Sequence, residues 1–129
     1  MRALLDTHAF LWWIGDCPSL SKPAREVVAN PENEIYLSAV SVWEIAIKVR
    51  AGRLNLFSGD IAPFVLDQVS QNQFHSLPVT LSHSAKIHSL SNHHRDPFDQ
   101  MLVAQSLVEN MPILSVDPKI RSYGVEVIW

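Results

Sequence analysis

The sequence has little cysteine, no excess of basic residues and no long hydrophobic run. Its single cysteine, Cys17, excludes an intramolecular disulfide and favours a reducing compartment. The apolar stretch at residues 10–14 is far too short to span a bilayer. Asp6 interrupts the apolar run at residues 3–5 before that run could serve as a secretory signal. We therefore expect a cytoplasmic protein with no membrane partner.

The charge balance excludes a protein that holds nucleic acid by bulk electrostatics. Ten Lys and Arg residues stand against 13 Asp and Glu residues, which gives a net charge of −3 with neutral histidines. Proteins of that class are usually basic, so any nucleic-acid contact here must be local, transient or helped by a metal ion. Apolar residues make up 47% of the chain, enough for one ordinary core. Because no repeat, low-complexity segment or linker is visible, we expect a single domain spanning residues 1–129.

Short apolar segments alternate along the chain with segments of helical periodicity. The predicted strands cover residues 2–5, 35–38, 77–79, 112–116 and 125–129. The predicted helices cover residues 9–14, 21–28, 41–54, 60–69, 81–90 and 96–110, with a helical turn at 118–123. The third strand contains Pro78, which predicts an edge position. This alternation predicts an α/β sandwich around a parallel sheet.

The predicted helix at residues 41–54 has the clearest periodicity. One apolar stripe contains four residues at helical spacing: Val42, Ile45, Ala46 and Val49. Trp43 and Ile47 would widen this apolar surface. Glu44 and Lys48 would then lie on a narrow polar arc.

Four acidic residues occupy related positions in this predicted fold. Asp6 and Asp117 follow the first and fourth strands, and Asp99 opens the helix that precedes the fourth strand. Glu44 lies one to two turns into the helix after the second strand. Ligands of parallel sheets bind outside the carboxyl ends of the strands, where the winding reverses. All four carboxylates can therefore converge on one end of the sheet.

Such a convergence requires a neutralising group. Two carboxylates about 4 Å apart repel by roughly 4 kcal/mol at an effective dielectric constant of about 20. Four ionised carboxylates are therefore expected to share a cation or a proton. An all-oxygen ligand set favours Mg²⁺ or Mn²⁺ over zinc.

Each acid also has a purely structural interpretation. Asp6 could cap the helix that follows it, and Asp117 before Pro118 has the signature of a turn or cap. Glu44 could form an exposed i, i+4 pair with Lys48. Asp96 takes the N-cap position of its helix, with Pro97 at N1 and Asp99 at N3. The case for a site therefore depends on the joint placement of the four acids.

Four motifs occur in order along the chain: LLDTH at residues 4–8, SAVSVWEI at 38–45, DPFDQML at 96–102 followed by Ala104, and LSVD at 114–117. With these motifs the chain resembles a PIN-domain ribonuclease, specifically the VapC-type toxins of toxin–antitoxin pairs. The resemblance runs over nearly the whole chain. It implies a three-layer α/β/α sandwich with strand order 3-2-1-4-5, a homodimer, and a separately encoded antitoxin partner.

The resemblance also implies an activity and a site. The activity would be Mg²⁺-dependent endoribonuclease cleavage of RNA by metal-activated water, with one or two Mg²⁺ or Mn²⁺ ions. The implied catalytic and metal-binding residues are Asp6, Glu44, Asp99 and Asp117, with Thr7, Asp96 and Ser115 as auxiliaries. Basic residues that could position phosphates are Lys48 and Arg95, with Arg50 and Lys119 as further candidates. For each of these basic residues, an ordinary solvated side chain is the favoured interpretation.

Alternatives of other classes remain open at this point. One is a catalytically silent PIN-like scaffold that only binds a partner. Another is a phosphoacceptor receiver domain, although that class needs an acceptor Asp after the third strand, where this chain has Thr80. A zinc site from His83, His88, His93 and His94 is disfavoured because their spacing fits no usual ligand pattern. Trp12, Trp13 and Trp43 are interpreted as core or interface residues and not as base-stacking platforms.

Overall fold

A computed structural model of the chain describes residues 1–56, 59–92 and 95–129. The strands are β1 (Arg2–Leu5), β2 (Glu34–Ser38), β3 (His75–Leu77), β4 (Ile113–Leu114) and β5 (Val127–Ile128). The helices are α1 (Thr7–Ile14), α2 (Lys22–Ala29), α3 (Ala39–Arg50), α4 (Ile61–Gln71), α5 (Leu81–Lys86), α6 (Pro97–Glu109) and α7 (Pro118–Arg121), and a 3₁₀ turn spans Ile87–Ser89. None of the helices in these described ranges is long and apolar enough to cross a membrane.

The strands form one parallel sheet in the order β3-β2-β1-β4-β5. The predicted fold class and strand order are confirmed. The winding reverses at β1, which pairs with β2 on one side and with β4 on the other. Receiver-like domains have the order 2-1-3-4-5, so the receiver alternative is wrong.

Side chains of β1 alternate between two hydrophobic cores, one on each face of the sheet. Ala3 and Leu5 belong to a core that includes Phe10 of α1, whereas Leu4 belongs to a core that includes Leu102 of α6. This alternation is the period-two geometry of a strand covered on both faces. Helices therefore cover both faces of the sheet, as the predicted α/β/α sandwich requires.

The register brings the ends of three central strands level with one another. Leu5, the last residue of β1, pairs with Leu37 of β2 and with Leu114 of β4. The residues that follow these positions, Asp6, Ser38 and Ser115, therefore emerge together at the carboxyl edge. This edge is where the candidate site lies.

Two predicted boundaries differ from the structure for clear reasons. The third strand is His75–Leu77, an edge strand as predicted, but Pro78 lies just after it because proline cannot donate to a ladder. Helix α3 begins at Ala39 because the Ser38 hydroxyl accepts a hydrogen bond from Val40 N at 3.0 Å and caps the helix directly after β2.

Candidate active site

A cavity of about 200 Å³ opens at the carboxyl edge of the sheet. Its lining residues are Asp6, Thr7, His8, Glu44, Lys48, Asp96, Asp99, Val116 and Asp117. All four predicted acids are therefore brought to one cavity, together with Thr7, Asp96 and Lys48. Of the other predicted residues, Ser115 is buried beside the cavity, whereas Arg95 is exposed and is not part of the lining.

Asp6 is held in place by the start of α1. Its Oδ1 accepts a hydrogen bond from Ala9 N at 2.7 Å, which makes Asp6 the N-cap of the helix. Burial raises the pKa of Asp6 above its ordinary value, and the nearby negative charge of Asp117 raises it further. Hydrogen bonds from Ser115 and Ala9, with the charge of His8, lower the pKa and offset part of that rise.

Glu44 is one of four buried residues of α3, whereas Trp43, which periodicity placed on the apolar surface of the helix, is exposed. Glu44 is only 5% exposed, whereas Trp43 is 59% exposed and contacts Phe98 edge-on. Thr7 donates its hydroxyl hydrogen to Glu44 Oε1 at 2.6 Å, and Lys48 Nζ lies 2.8 Å from Glu44 Oε2. The predicted i, i+4 pair with Lys48 exists, but its carboxylate faces the cavity and not solvent.

The remaining acids are also fixed by helix N-termini. Asp96 Oδ1 accepts hydrogen bonds from Phe98 N and Asp99 N, and so caps α6. Asp99 stands in the first turn of that helix. Asp117 Oδ1 accepts from Lys119 N at 2.8 Å and caps α7. Its own backbone N–H donates to Ser115 Oγ at 3.1 Å.

The structural interpretation of these acids as helix caps is therefore compatible with a shared functional site. Asp6, Asp96 and Asp117 each make the capping bond that the structural interpretation predicts, and each also lines the cavity. A cap restricts the rotamer of its carboxylate. Three independent caps thus orient carboxylates from distant parts of the chain at one end of the sheet. Helix N-termini also favour negative charge, which lowers the cost of gathering it.

The chemistry of the donor set fits a hard divalent cation. The cavity offers carboxylate oxygens from four elements and no thiol, which suits Mg²⁺ or Mn²⁺. Across residues 1–56, 59–92 and 95–129, however, no three Asp, Glu, His or Cys side chains are already grouped closely enough to hold a metal ion. Because Glu44 is paired with Lys48 in this arrangement, ion binding would require side chains to move.

The histidine and tryptophan predictions have mixed outcomes. His83 is buried and accepts from Thr80 N through Nδ1, while His88 is exposed; His93 and His94 lie outside the described residues. Trp12 and Trp13 pack half-buried against the hydrophobic core, as expected. Trp43 does not lie in the core.

Two residues near the acids were missed from the sequence. His8 is exposed and lines the cavity, and its position directly after Asp6-Thr7 was the available signal. Ser41 is fully buried with its hydroxyl 3.0 Å from the Thr7 hydroxyl. Its signal was the spacing of three residues to Glu44, which places both side chains on one face of α3. Ser41 contacts the hydroxyl that binds Glu44, and the charge of His8 lowers the pKa of Asp6.

Solved structures with a similar fold cover almost the whole chain. VapBC2 from Rickettsia felis, bound to a DNA fragment from its promoter, has a TM-score of 0.72 and 13% identity, covering 98% of this chain and 97% of that one. VapBC-1 from nontypeable Haemophilus influenzae has a TM-score of 0.68 and 14% identity, covering 98% and 96%. VapBC-5 from Mycobacterium tuberculosis, of a family of toxin–antitoxin systems, has a TM-score of 0.60 and 18% identity, covering 98% and 97%.

At these identities the likeness to solved structures establishes the fold alone. No curated protein sequence matches the chain significantly. The family model of the PIN domain matches residues 3–126, which is nearly the full length. The matched range includes every residue that lines the acidic cavity. The chain therefore belongs to the PIN-domain family.

Proposed function

We propose that this chain is a Mg²⁺-dependent endoribonuclease that acts as the toxin of a toxin–antitoxin system. The observation that carries the proposal is the shared cavity of Asp6, Glu44, Asp99 and Asp117, four acids contributed by four separate parts of the chain. Burial, and to a smaller degree the negative charge of Asp117, raises the pKa of Asp6 above its ordinary value. Perturbed carboxylates in a cleft are typical of functional sites.

In this proposal the four acids hold one or two Mg²⁺ or Mn²⁺ ions. A bound ion would supply a water of lowered pKa and would neutralise charge on the phosphoryl oxygens. Thr7 would orient the Glu44 carboxylate through its 2.6 Å hydrogen bond. Ser115 would fix Asp6 and Asp117 relative to each other, because its hydroxyl contacts both residues. Asp96 would position Asp99 by starting α6.

Substrate contacts would be few and local, as the net charge of −3 requires. Lys48 lines the cavity and Arg95 is exposed one residue before Asp96, so both could bind RNA phosphates. RNA would be cleaved by attack of water and not of the 2′-hydroxyl. A substrate with 2′-deoxyribose at the scissile position should therefore still be cut if it binds. Because cellular RNA is the substrate, we expect the activity in the cytoplasm.

Two protein partners complete the proposal. A separately encoded antitoxin is supported by the VapBC structures that share this fold. A homodimer is supported by exposed apolar side chains such as Trp43, which is costly to leave in water. Light scattering of the purified chain measures this directly, and a monomer at micromolar concentration would contradict the dimer.

A catalytically silent PIN-like scaffold is the second candidate. The observation that favours it is the 2.8 Å ion pair between Lys48 and Glu44, which satisfies one acid without a metal. The two candidates differ in what the isolated protein does to RNA. A scaffold would bind its partner and leave RNA intact.

The deciding experiment incubates partner-free protein with structured RNA in Mg²⁺, in EDTA, and in EDTA followed by excess Mg²⁺. We expect cleavage that EDTA stops and Mg²⁺ restores. Asp99→Asn should lower the rate by roughly 10²–10³-fold, the usual scale for one preorganised charged group. Equal cleavage by Asp99→Asn, or cleavage insensitive to EDTA, would contradict the nuclease proposal. Absence of cleavage under every condition would favour the scaffold.

Metal binding can be tested separately from cleavage. An ion that binds only the folded protein stabilises it by about 2.7 kcal/mol at a hundredfold excess over its dissociation constant. Thermal unfolding with and without millimolar Mg²⁺ or Mn²⁺ measures this effect. No change in the melting temperature would count against a metal site.

A further inference from the structure

The ion pair between Lys48 and Glu44 differs from an ordinary surface pair. Lys48 Nζ lies 2.8 Å from Glu44 Oε2, and the Glu44 side chain is only 6% exposed. By contrast, Asp16 in the pair with Arg25 is 91% exposed. Screening by water makes exposed pairs weak, whereas a buried carboxylate depends on its partner for neutralisation. Lys48 is therefore the principal counter-charge of Glu44.

Both oxygens of the Glu44 carboxylate are occupied in this arrangement. Oε1 accepts from the Thr7 hydroxyl at 2.6 Å, and Oε2 contacts Lys48. A hydroxyl donor can remain beside a carboxylate that binds a cation, because it carries no net charge. An ammonium group cannot remain there without repulsion, since it has the same sign as the cation. Lys48 is thus the partner that must leave when an ion binds.

The Lys48 side chain is placed so that it can move into solvent. Its side chain is 31% exposed and lines the mouth of the acidic cavity, while Thr7 is short and buried. Lysine has a flexible four-carbon stem and a strongly hydrated head, so it can move into solvent at low cost. Glu44 in turn is fixed on α3 and keeps its position.

We propose that Lys48 is a positioning residue that takes the place of the divalent cation beside Glu44 and competes with it for that carboxylate. In the metal-free protein Lys48 neutralises the Glu44 carboxylate and keeps it in the position where it would bind the ion. When an ion binds, the ammonium is released at the rim of the cavity, where it can contact a phosphate of the nucleic acid. The exchange links metal binding to the appearance of a phosphate-binding group. This inference rests on the proposed metal-dependent function.

The test measures Mn²⁺ affinity by calorimetry, without using activity as the readout. The full chain is compared with Lys48→Met, Lys48→Arg and the control Lys22→Met, an exposed lysine outside the cavity. Lys48→Met should bind Mn²⁺ about tenfold more tightly, because removal of one competing positive charge is worth on that order. Lys48→Arg and Lys22→Met should bind like the unmodified chain. Metal-free Lys48→Met should also melt at a lower temperature.

A double-substitution cycle separates direct competition from a general change in stability. In a Glu44→Gln background there is no carboxylate to compete for, so adding Lys48→Met should change Mn²⁺ affinity much less than it does in the unmodified chain. Lys48→Gln replaces Lys48→Met if the methionine variant does not fold. Equal or weaker Mn²⁺ binding by these Lys48 variants would overturn the inference while leaving the proposed function intact. If even the unmodified chain bound no Mn²⁺, both would fail.

Discussion

The protein contains two groups of polar side chains, each built around buried residues, that differ in how their charges are balanced. The acidic cavity gathers Asp6, Glu44, Asp99 and Asp117 with Lys48. The second group, which we name the Gln105 network, contains Ser38, Thr80, His83, Gln105 and Glu109. In this network Ser38 Oγ donates to Gln105 Oε1 at 2.6 Å, and Gln105 Nε2 donates to the Pro78 carbonyl at 3.3 Å.

The network joins segments that are far apart in sequence. His83 Nδ1 accepts from Thr80 N at 3.0 Å, which caps α5, and His83 Nε2 lies 3.4 Å from Glu109 of α6. Because Nδ1 accepts, Nε2 carries the proton in the neutral tautomer and donates to Glu109. Among the described residues, no buried side-chain nitrogen or oxygen lacks a hydrogen-bond partner.

The Gln105 network contributes to the fold, whereas the acidic cavity is the site proposed to bind a metal ion. In the Gln105 network each donor faces an acceptor of the protein itself, so the group stabilises the packing of α5 against α6. In the acidic cavity, carboxylates of the same sign face one another, and burial of Asp6 raises its pKa. Substitutions in the cavity should therefore affect chemistry, and substitutions in the network should affect stability.

Asp6→Asn tests the cavity with the largest expected effect. RNA cleavage should fall by roughly 10²–10³-fold, since a charged group of the proposed site is lost. The metal-free protein should nevertheless melt at a higher temperature than the unmodified chain. Asn still caps a helix well, so the α1 N-cap is retained. Cleavage assays and thermal unfolding in EDTA give the two readouts, with the exposed Asp67→Asn as the control.

The sign of that stability change follows from the raised pKa of Asp6. The unfolded chain releases this proton at lower pH than the folded protein does. Between the two pKa values the folded protein binds more protons, so its stability falls as the pH rises. At neutral pH the ionised carboxylate is therefore a cost that Asn removes. Unfolding of Asp6→Asn would show that Asp6 is a structural cap alone.

Gln105→Ala tests the network. It should lower the stability of the protein and leave RNA cleavage nearly unchanged. The substitution removes the hydrogen bonds to Ser38 and Pro78 and the 3.4 Å contact with His83 Nδ1, and it opens a void in a fully buried position. We expect a loss of about 2–4 kcal/mol in the free energy of unfolding. RNA cleavage well below the melting temperature should remain close to that of the unmodified chain. Chemical denaturation measures the loss.

Gln71→Ala is the matched control, because Gln71 lies exposed at the end of α4. Its free energy of unfolding should change by no more than about 0.5 kcal/mol. A strong loss of cleavage by folded Gln105→Ala would contradict the claim that the network affects stability alone. It would mean that the network also sets the geometry of the acids.

Thr80→Ala probes the same network at its edge and should have a smaller effect. The Thr80 hydroxyl accepts from His83 N at 3.2 Å, and the two residues form a reciprocal capping box. Loss of this N-cap should cost about 1 kcal/mol. Thr80→Ser should restore the stability because it keeps the hydroxyl. Equal melting temperatures for the alanine and serine variants would refute the cap.

Local sequence patterns predicted the sheet and the acids but not the orientation of α3. The alternation of apolar strands and helices is a local property, and the acids could be placed because they follow predicted strands. Periodicity put Trp43 on the apolar surface of α3 and Glu44 on a polar arc, yet Trp43 is exposed and Glu44 is buried. Hydrophobic patterning assumes that apolar side chains face the core, and this assumption fails where a carboxylate is buried instead.

The Gln105 network could not be predicted from the sequence for a different reason. Ser38 and Gln105 are 67 positions apart, and Gln105 stands in a helix whose neighbours are apolar. Such a contact depends on how α6 packs over the sheet, which no local pattern encodes. His83 likewise seemed one of several scattered histidines, whereas the fold buries it between Thr80 and Glu109.

The smallest expected effects are shifts in the pKa of Asp6. The Ser115 hydroxyl donates to the Asp6 carboxylate and lowers its pKa, while the charge of Asp117 raises it. In the metal-free protein, Ser115→Ala should therefore raise the pKa of Asp6 further, and Asp117→Asn should lower it. Carboxyl NMR titration in EDTA measures both shifts, and Ser115→Thr should titrate like the unmodified chain. Opposite shifts from these two substitutions would show that neighbouring groups in the cavity act on the Asp6 carboxylate in opposing directions, unlike the paired donors and acceptors of the network. If Asp117→Asn left the Asp6 titration unchanged, the charges of the two acids would not interact across the cavity, and the contrast between the two groups would lose its physical basis.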